Sequence, residues 1–223
     1  MRAQGGCSQN LQPSRGVDGP VTRQPTPVPD SRLLPLRKGL IPLDEEPSPG
    51  SSLPHDRTHA AVSVILRTRA HLEILLIRRA QAKGDPWSGD MALPGGRRDP
   101  ADRDLLHTAI RETLEETEVD LGMEGAALLG RTEPLIPYTR HLPPLAIQPF
   151  VFQVPEDTKA SVASPEVDQV FWTPLSRLWT PEASGTVEIL LDGRRAKFPC
   201  YRVDGNLVWG LTYRILKDIE QKF

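Results

Sequence analysis

LPGGRRDPADRDLLHTAIRETLEETE, residues 93–118, couples a glycine-rich bend to the strongest helical pattern in the chain. Asp99 can cap a helix, Pro100 suits its first position, and Asp102 favours the positive end of the helix dipole. Leu105, Leu106, Ala109, Ile110, Thr113 and Leu114 then recur at three-to-four spacing, which predicts one buried stripe opposite a charged one. Glu112, Glu115 and Glu116 stand at i, i+3 and i+4, so their carboxylates leave the same side of the helix within one turn. Three like charges that close repel. Arg111 beside them does not neutralise three acids, and a hard divalent cation with oxygen ligands is the natural counterweight. Adjacent glutamates are more often a solvated helix face than a metal site. The Gly95-Gly96 bend just ahead of the helix shifts that balance, because its backbone groups reach the same ion or a phosphate. Mg²⁺ held by a few carboxylates keeps open positions for water and phosphate oxygens.

On both sides of this helix the pattern switches to strands. Ala61 to Arg67 and Leu72 to Arg79, rich in β-branched and apolar residues around a polar turn, predict a hairpin. Residues 84–98 hold four glycines and two prolines and predict a loop rather than a regular element. Beyond the helix, strands are expected at 127–132, 145–154 and 168–173, then a short helical stretch from Pro174 through Trp179. Asp192-Gly193 marks a hairpin between 187–191 and 197–203. A final amphipathic helix from Gly210 turns Leu211, Ile215, Leu216 and Ile219 inward. Strands before and after a central helix predict an α/β (α+β) sandwich, with a mixed central sheet between helices.

Residues 1–57 carry ten of the 23 prolines and little apolar periodicity. Such a segment buries too little surface to offset its ordering entropy, so disorder is expected there and one folded domain over 58–223. Leu33, Leu34, Leu36, Leu40 and Ile41 suggest a short docking segment, although Pro35 and Pro42 argue against a helix. The formal charge of −2 gives no reason to expect nucleic-acid binding. Cys7 and Cys200 alone make neither a disulfide framework nor a zinc pattern. No apolar run is long enough to span a bilayer, and the first residues lack a secretory pattern. A cytoplasmic chain without a membrane partner is the expectation, as a monomer or a homodimer.

Gly95-Gly96 followed by Arg111-Glu112-Thr113-Leu114-Glu115-Glu116 resembles the Nudix box, G-x5-E-x7-R-E-U-x-E-E-x-G-U. The resemblance implies a Nudix-type α/β/α sandwich and a pyrophosphohydrolase using Mg²⁺ or Mn²⁺ on a small nucleoside diphosphate derivative. It also implies that Glu112, Glu115, Glu116 and the Gly96 carbonyl hold the metal, while Arg111 orients the cluster. Three departures stand out. Gly96 to Arg111 is one residue longer than the general box, the intervening acid becomes Asp102, and Glu118 replaces the late glycine, where the family turns the helix end through positive φ.

The longer spacing, with Leu93-Pro94-Gly95-Gly96-Arg97-Arg98-Asp99-Pro100, Gly89 upstream and Val208-Trp209-Gly210-Leu211-Thr212 downstream, resembles the coenzyme A diphosphatase branch. Arg78, Arg79, Arg97 and Arg98 are the candidates to bind its phosphates, because guanidinium forks match phosphate oxygens; taken singly, each reads equally as solvated charge. Glu166 could serve as general base or extra metal ligand, or could be a plain strand-edge acid. Arg140-His141 reads as surface. Trp172, Trp179 and Trp209 read as core, and Trp87 is the one placed to touch an adenine or close a lid. The rival readings are a Nudix hydrolase of ADP-ribose or NADH, and a Nudix-like module that senses a nucleotide without cleaving it.

Overall fold

The computed structural model describes residues 30–45, 53–54, 56–83, 87–137, 144–191 and 194–223. A 3₁₀ turn at Ser31–Leu33 leads into α1 (Leu34–Gly39), then β1 (Thr58–Thr68), β2 (Leu72–Arg79), β3 (Met91–Ala92), β4 (Gly95–Arg97) and α2 (Leu105–Thr117). There follow β5 (Ala127–Arg131), β6 (Leu145–Val154), β7 (Val167–Pro174), α3 (Leu175–Leu178), β8 (Ser184–Leu191), β9 (Arg194–Val203), β10 (Asn206–Trp209) and α4 (Gly210–Glu220). Arg140-His141, Asp192-Gly193 and residues 84–86 lie outside the described residues.

β1 organises the main sheet. It runs parallel to β6 from Thr58↔Leu145 to Arg67↔Val154. Its other edge is shared: β2 pairs only over Leu66–Thr68, and β4 pairs antiparallel over Ala60–Val62. Ser63 N donates to Pro94 O at 2.8 Å, so the chain around the diglycine fills the gap that β2 opens as it leaves β1. The order is β3-β2-β1-β6-β5, with β7 added on β2; β8, β9 and β10 make a second, antiparallel sheet.

Period-two alternation sorts the core into two layers. Val64, Leu66, Ile74, Leu76 and Val151 face α1, α3, α4 and the second sheet, where Leu33, Leu36, Leu178, Tyr201 and Leu216 are fully or almost fully buried. Ala61, Ile65, Leu75, Phe150 and Phe152 face the other way, onto Ala109 of α2 and Val119. This is the expected mixed sheet sandwiched between helices.

Four details differ from expectation. Pro35 does not prevent a helix, because it falls in the first turn of α1, where its missing N–H goes unused. Leu33 and Leu36 then pack into the first core layer, and Ile41 bridges to Arg131 on β5. Residues 91–97 are not pure loop but supply β3 and β4. The central helix begins at Leu105, capped by Asp104 accepting from His107 N at 2.8 Å; Asp99 and Asp102 sit in a separate turn before it. Its inward face is wider than the expected stripe: Leu105, Leu106, Ala109, Ile110 and Thr113 pack inward as expected, but Leu114 is 44 % exposed, and Thr108, Glu116 and Thr117 are buried as well. That polar face is satisfied from within. Thr113 donates to Ser63 Oγ at 2.8 Å, Ser63 donates to Ala109 O, and Thr117 donates to Thr113 O at 2.7 Å.

At the end of α2, Glu118 takes φ 58° and ψ 10°, the left-handed conformation that favours glycine. Its carboxylate accepts from Ser161 Oγ on the surface, a modest compensation. Glu118→Gly is therefore expected to stabilise the protein by about 0.5–1 kcal/mol, raising Tm by about 1–4 °C in a thermal melt. A lower Tm would mean that the Ser161 contact outweighs the backbone strain.

Candidate active site

Two glycines let the sheet approach the helix. Gly95 has φ 147°, and a side chain there would strike the backbone of Ala61 and Val62. At Gly96 a Cβ would lie 2.5 Å from the Glu112 carboxylate, so the acid rests directly on the glycine backbone. Gly95 N donates to Glu116 Oε2 at 2.8 Å. Loop and helix are thus joined by the two acids themselves.

Glu116 is only 6 % exposed. Burial pushes its carboxyl up to about 8, partly offset by the Gly95 amide; Glu112 and Glu166 push it further up, and Arg79 pulls it down. Burial also raises Glu112, against the pull of Arg111 and with the repulsion of Glu115 and Glu166 added. These mutual effects place Arg79 and Glu166 close enough to act on the acids.

Arg111 is the hub of the cluster's outer side. It holds buried Asp102 through Nε and Nη2, both at 2.9 Å, and it pairs with Glu112 at 3.0 Å and Glu115 at 3.1 Å. Asp102 also accepts from Thr108 Oγ1 at 2.8 Å and from Asp99 N, and His107 Nδ1 lies 3.0 Å away. The Arg111 bond, with these others, holds Asp102 well below the usual carboxylate range. The loop of Glu166 is fastened to the end of α2: Ser161 N donates to Thr117 O, and Ala163 N to Glu116 O. Ala80 N on the β2 side donates to Glu166 O at 2.8 Å.

Not every expected residue joins this group. Glu115 is not packed beside its two neighbours but turns outward to Arg111, with its side chain 55 % exposed. Arg78 points to the sheet face opposite Arg79, where Asp168 and Asn206 hold it. Arg98 donates to the carbonyls of Asp102 and Arg103, bracing the turn before the helix, and the Arg97 side chain is exposed. Trp87 stands 36 % exposed in the loop before β3, and Trp172 and Trp179 are partly buried against the core layers. An open groove of about 500 Å³ lined by Asp30, Arg32, Thr68 and Gln153 lies at the far end of β1 and shares no residue with the acids. Spacing identifies Asp102 as the acid of the loop but not as the anchor of Arg111, because only the turn at Asp99–Asp102 brings the two together.

Among the described residues, no three His, Cys, Asp or Glu side chains are gathered into a ready cage. The residues nevertheless fit a hard divalent cation. The donors are all oxygen, two carboxylates are desolvated side by side against a glycine backbone that leaves room for no side chain, and the Gly95 amide and Arg79 offset the burial of Glu116 only in part.

Acids braced by an arginine on a helix, and fed by a diglycine turn from a mixed sheet, define the loop–helix unit of a Nudix-type sandwich. The chain belongs to the NUDIX family, whose NUDIX domain matches residues 57–190. Nudix hydrolases generally use divalent metal ions and act on small nucleoside diphosphate derivatives. An uncharacterized protein of Schizosaccharomyces pombe is 38 % identical over 125 residues, 55 % of this chain and 37 % of that protein. The human mitochondrial coenzyme A diphosphatase NUDT8 is 32 % identical over 133 residues, 56 % of this chain and 51 % of that one. The chain thus spans about half or less of these relatives' length. A MutT/nudix family protein from Enterococcus faecalis superposes with a TM-score of 0.51 at 19 % identity, covering 76 % of this chain and 64 % of that one, which concerns the fold alone. No helix among the described residues is long and apolar enough to cross a membrane.

Proposed function

We propose that the protein hydrolyses the diphosphate linkage of coenzyme A or a close derivative, releasing 4′-phosphopantetheine and adenosine 3′,5′-bisphosphate, with Mg²⁺ or Mn²⁺ as cofactor. The observation that carries the hydrolytic reading is the buried Glu116 carboxylate, bonded to the Gly95 amide and facing Glu112, which favours a cation between the acids. The coenzyme A assignment is supported by the longer loop between Gly96 and Arg111 and by the name of the human relative.

Glu112, Glu116 and the Gly96 carbonyl would hold the ion, with Glu115 joining from the rim. When bound, the cation supplies Lewis-acid polarisation of a phosphoryl oxygen and a water of lowered pKa. Arg111, anchored by Asp102, fixes the orientation of Glu112 and Glu115. Glu166 accepts the proton of the attacking water as the new oxygen–phosphorus bond forms and the anhydride oxygen departs. Arg79, which acts on Glu116, is the arginine best placed to meet the substrate's phosphates, with the exposed Arg97 of β4 a second candidate.

The test is a comparison of coenzyme A with ADP-ribose and NADH, using one enzyme preparation and identifying products by mass. Coenzyme A is expected to show a kcat/KM at least about tenfold above the others, the discrimination that one extra charge-assisted contact provides. Faster cleavage of ADP-ribose or NADH would reassign the substrate, and cleavage of none would favour a sensing module.

A further inference from the structure

Arg78 was a candidate phosphate ligand, but its guanidinium is committed elsewhere. Nε donates to Asp168 Oδ2 at 2.7 Å, Nη2 pairs with the same oxygen at 2.5 Å, and Nη1 reaches Asn206 Oδ1 at 3.4 Å. The pair sits where β2 and β7 change register: Arg78 faces Gln169, whereas Arg79 faces Val167, which leaves Asp168 as the extra residue of a bulge. Bulges re-aim the residues around them and recur beside active sites. Two residues before this bulge stands Glu166, whose carbonyl accepts from Ala80 N and whose own N–H is turned toward Ser164 Oγ at 3.2 Å.

We infer that Arg78 is a positioning residue that fixes Glu166 toward Glu112 and Glu116 by pinning Asp168 at the β7 bulge, with Asn206 of the second sheet as a further tie. The β2–β7 ladder from Glu73↔Pro174 to Arg78↔Gln169 keeps the strand in register. Loss of the pin therefore loosens only the bulge and the Glu166 segment that leads from it toward the acids, held there by Arg79↔Val167 and the Ala80–Glu166 bond. Arg78 and Asp168 are partly exposed, with side-chain exposures of 31 % and 47 %, so their worth to global stability is small and their effect is local.

The inference rests on the proposed role of Glu166, and a double-mutant cycle separates the two. Arg78→Ala and Asp168→Asn are each expected to lower kcat about 3–10-fold on the best substrate of the panel, with KM unchanged. In a Glu166→Gln background, Arg78→Ala is expected to cause no further loss. Asp168→Asn keeps the shape of the side chain and preserves the test if Arg78→Ala folds poorly. A raised KM with kcat intact would make Arg78 a substrate ligand and overturn the inference. So would an unchanged kcat in both single variants, or an equal loss in both backgrounds. Should Glu166→Gln itself be fully active, the role of Glu166 fails and the inference falls with it; an impaired Glu166→Gln with multiplicative losses overturns the inference alone.

Discussion

Replacing Glu116 by Gln is expected to lower kcat/KM by about 10²–10³-fold while leaving the circular dichroism spectrum unchanged. The substitution keeps the volume and keeps an oxygen for the Gly95 amide, whose 2.8 Å bond ties the bend to α2. What it removes is one negative charge from the most buried of the three glutamates. If that charge holds a catalytic cation, the loss is the several kcal/mol of transition-state stabilisation that a metal supplies, at about 1.4 kcal/mol per decade of rate. The same change relieves a buried charge that the Gly95 amide and Arg79 offset only in part. Metal-free Glu116→Gln should therefore be at least as stable as metal-free wild type at pH 8, a result that a damaged fold does not give. Full activity in the variant would reject the metal site and the hydrolytic mechanism built on it.

The architecture was legible in the sequence because its signals are local and periodic. The β-branched and apolar residues of Ala61–Arg67 and Leu72–Arg79 mark two strands whose faces divide the core, and the diglycine with the acidic helix marks the site. What the sequence hid was set by tertiary contacts. Leu114 fits the apolar stripe by spacing, yet it is exposed while Glu116 turns inward, because the Gly95 amide meets the acid. The start of α2 was misplaced because Asp99, Pro100 and Asp102 form a capping pattern of their own, used here for a turn that aims Asp102 at Arg111. Arg78 and Arg79 are neighbours with identical chemistry; only the pleat of β2 sends one to Asp168 and the other toward Glu116. Glu118 was the opposite case, since a missing glycine at a helix end was readable, and the structure puts that residue at positive φ.

In a chelating buffer, the wild-type protein is expected to lose stability as pH rises from about 4.5 to about 8, against the trend of most carboxylates. The ordinary value of a Glu is 4.5, whereas folding lifts Glu116 to about 8 because burial disfavours its charged form. Between those values the unfolded chain has released the proton and the native state still holds it. The stabilisation from Glu116 is therefore complete below about 4.5 and is spent by about 8, a change on the order of a few kcal/mol. Glu112, raised for the same reason, acts in the same direction. Asp102 has the reverse sign, because its folded pKa is depressed; its contribution is complete above about 4 and fades only in stronger acid, so the two effects occupy separate windows. A divalent cation opposes this slope. It binds only the ionised acids of the native state, and at a hundred times its Kd it adds about 2.7 kcal/mol, with the gain in Tm from Mn²⁺ or Mg²⁺ larger at pH 8 than at pH 5. Chemical denaturation at a series of pH values, with and without the ion, measures both slopes. Glu116→Gln serves as the control for every other group of the protein: a wild-type profile that matches it would show that the buried carboxylate neither resists ionisation nor takes up a metal.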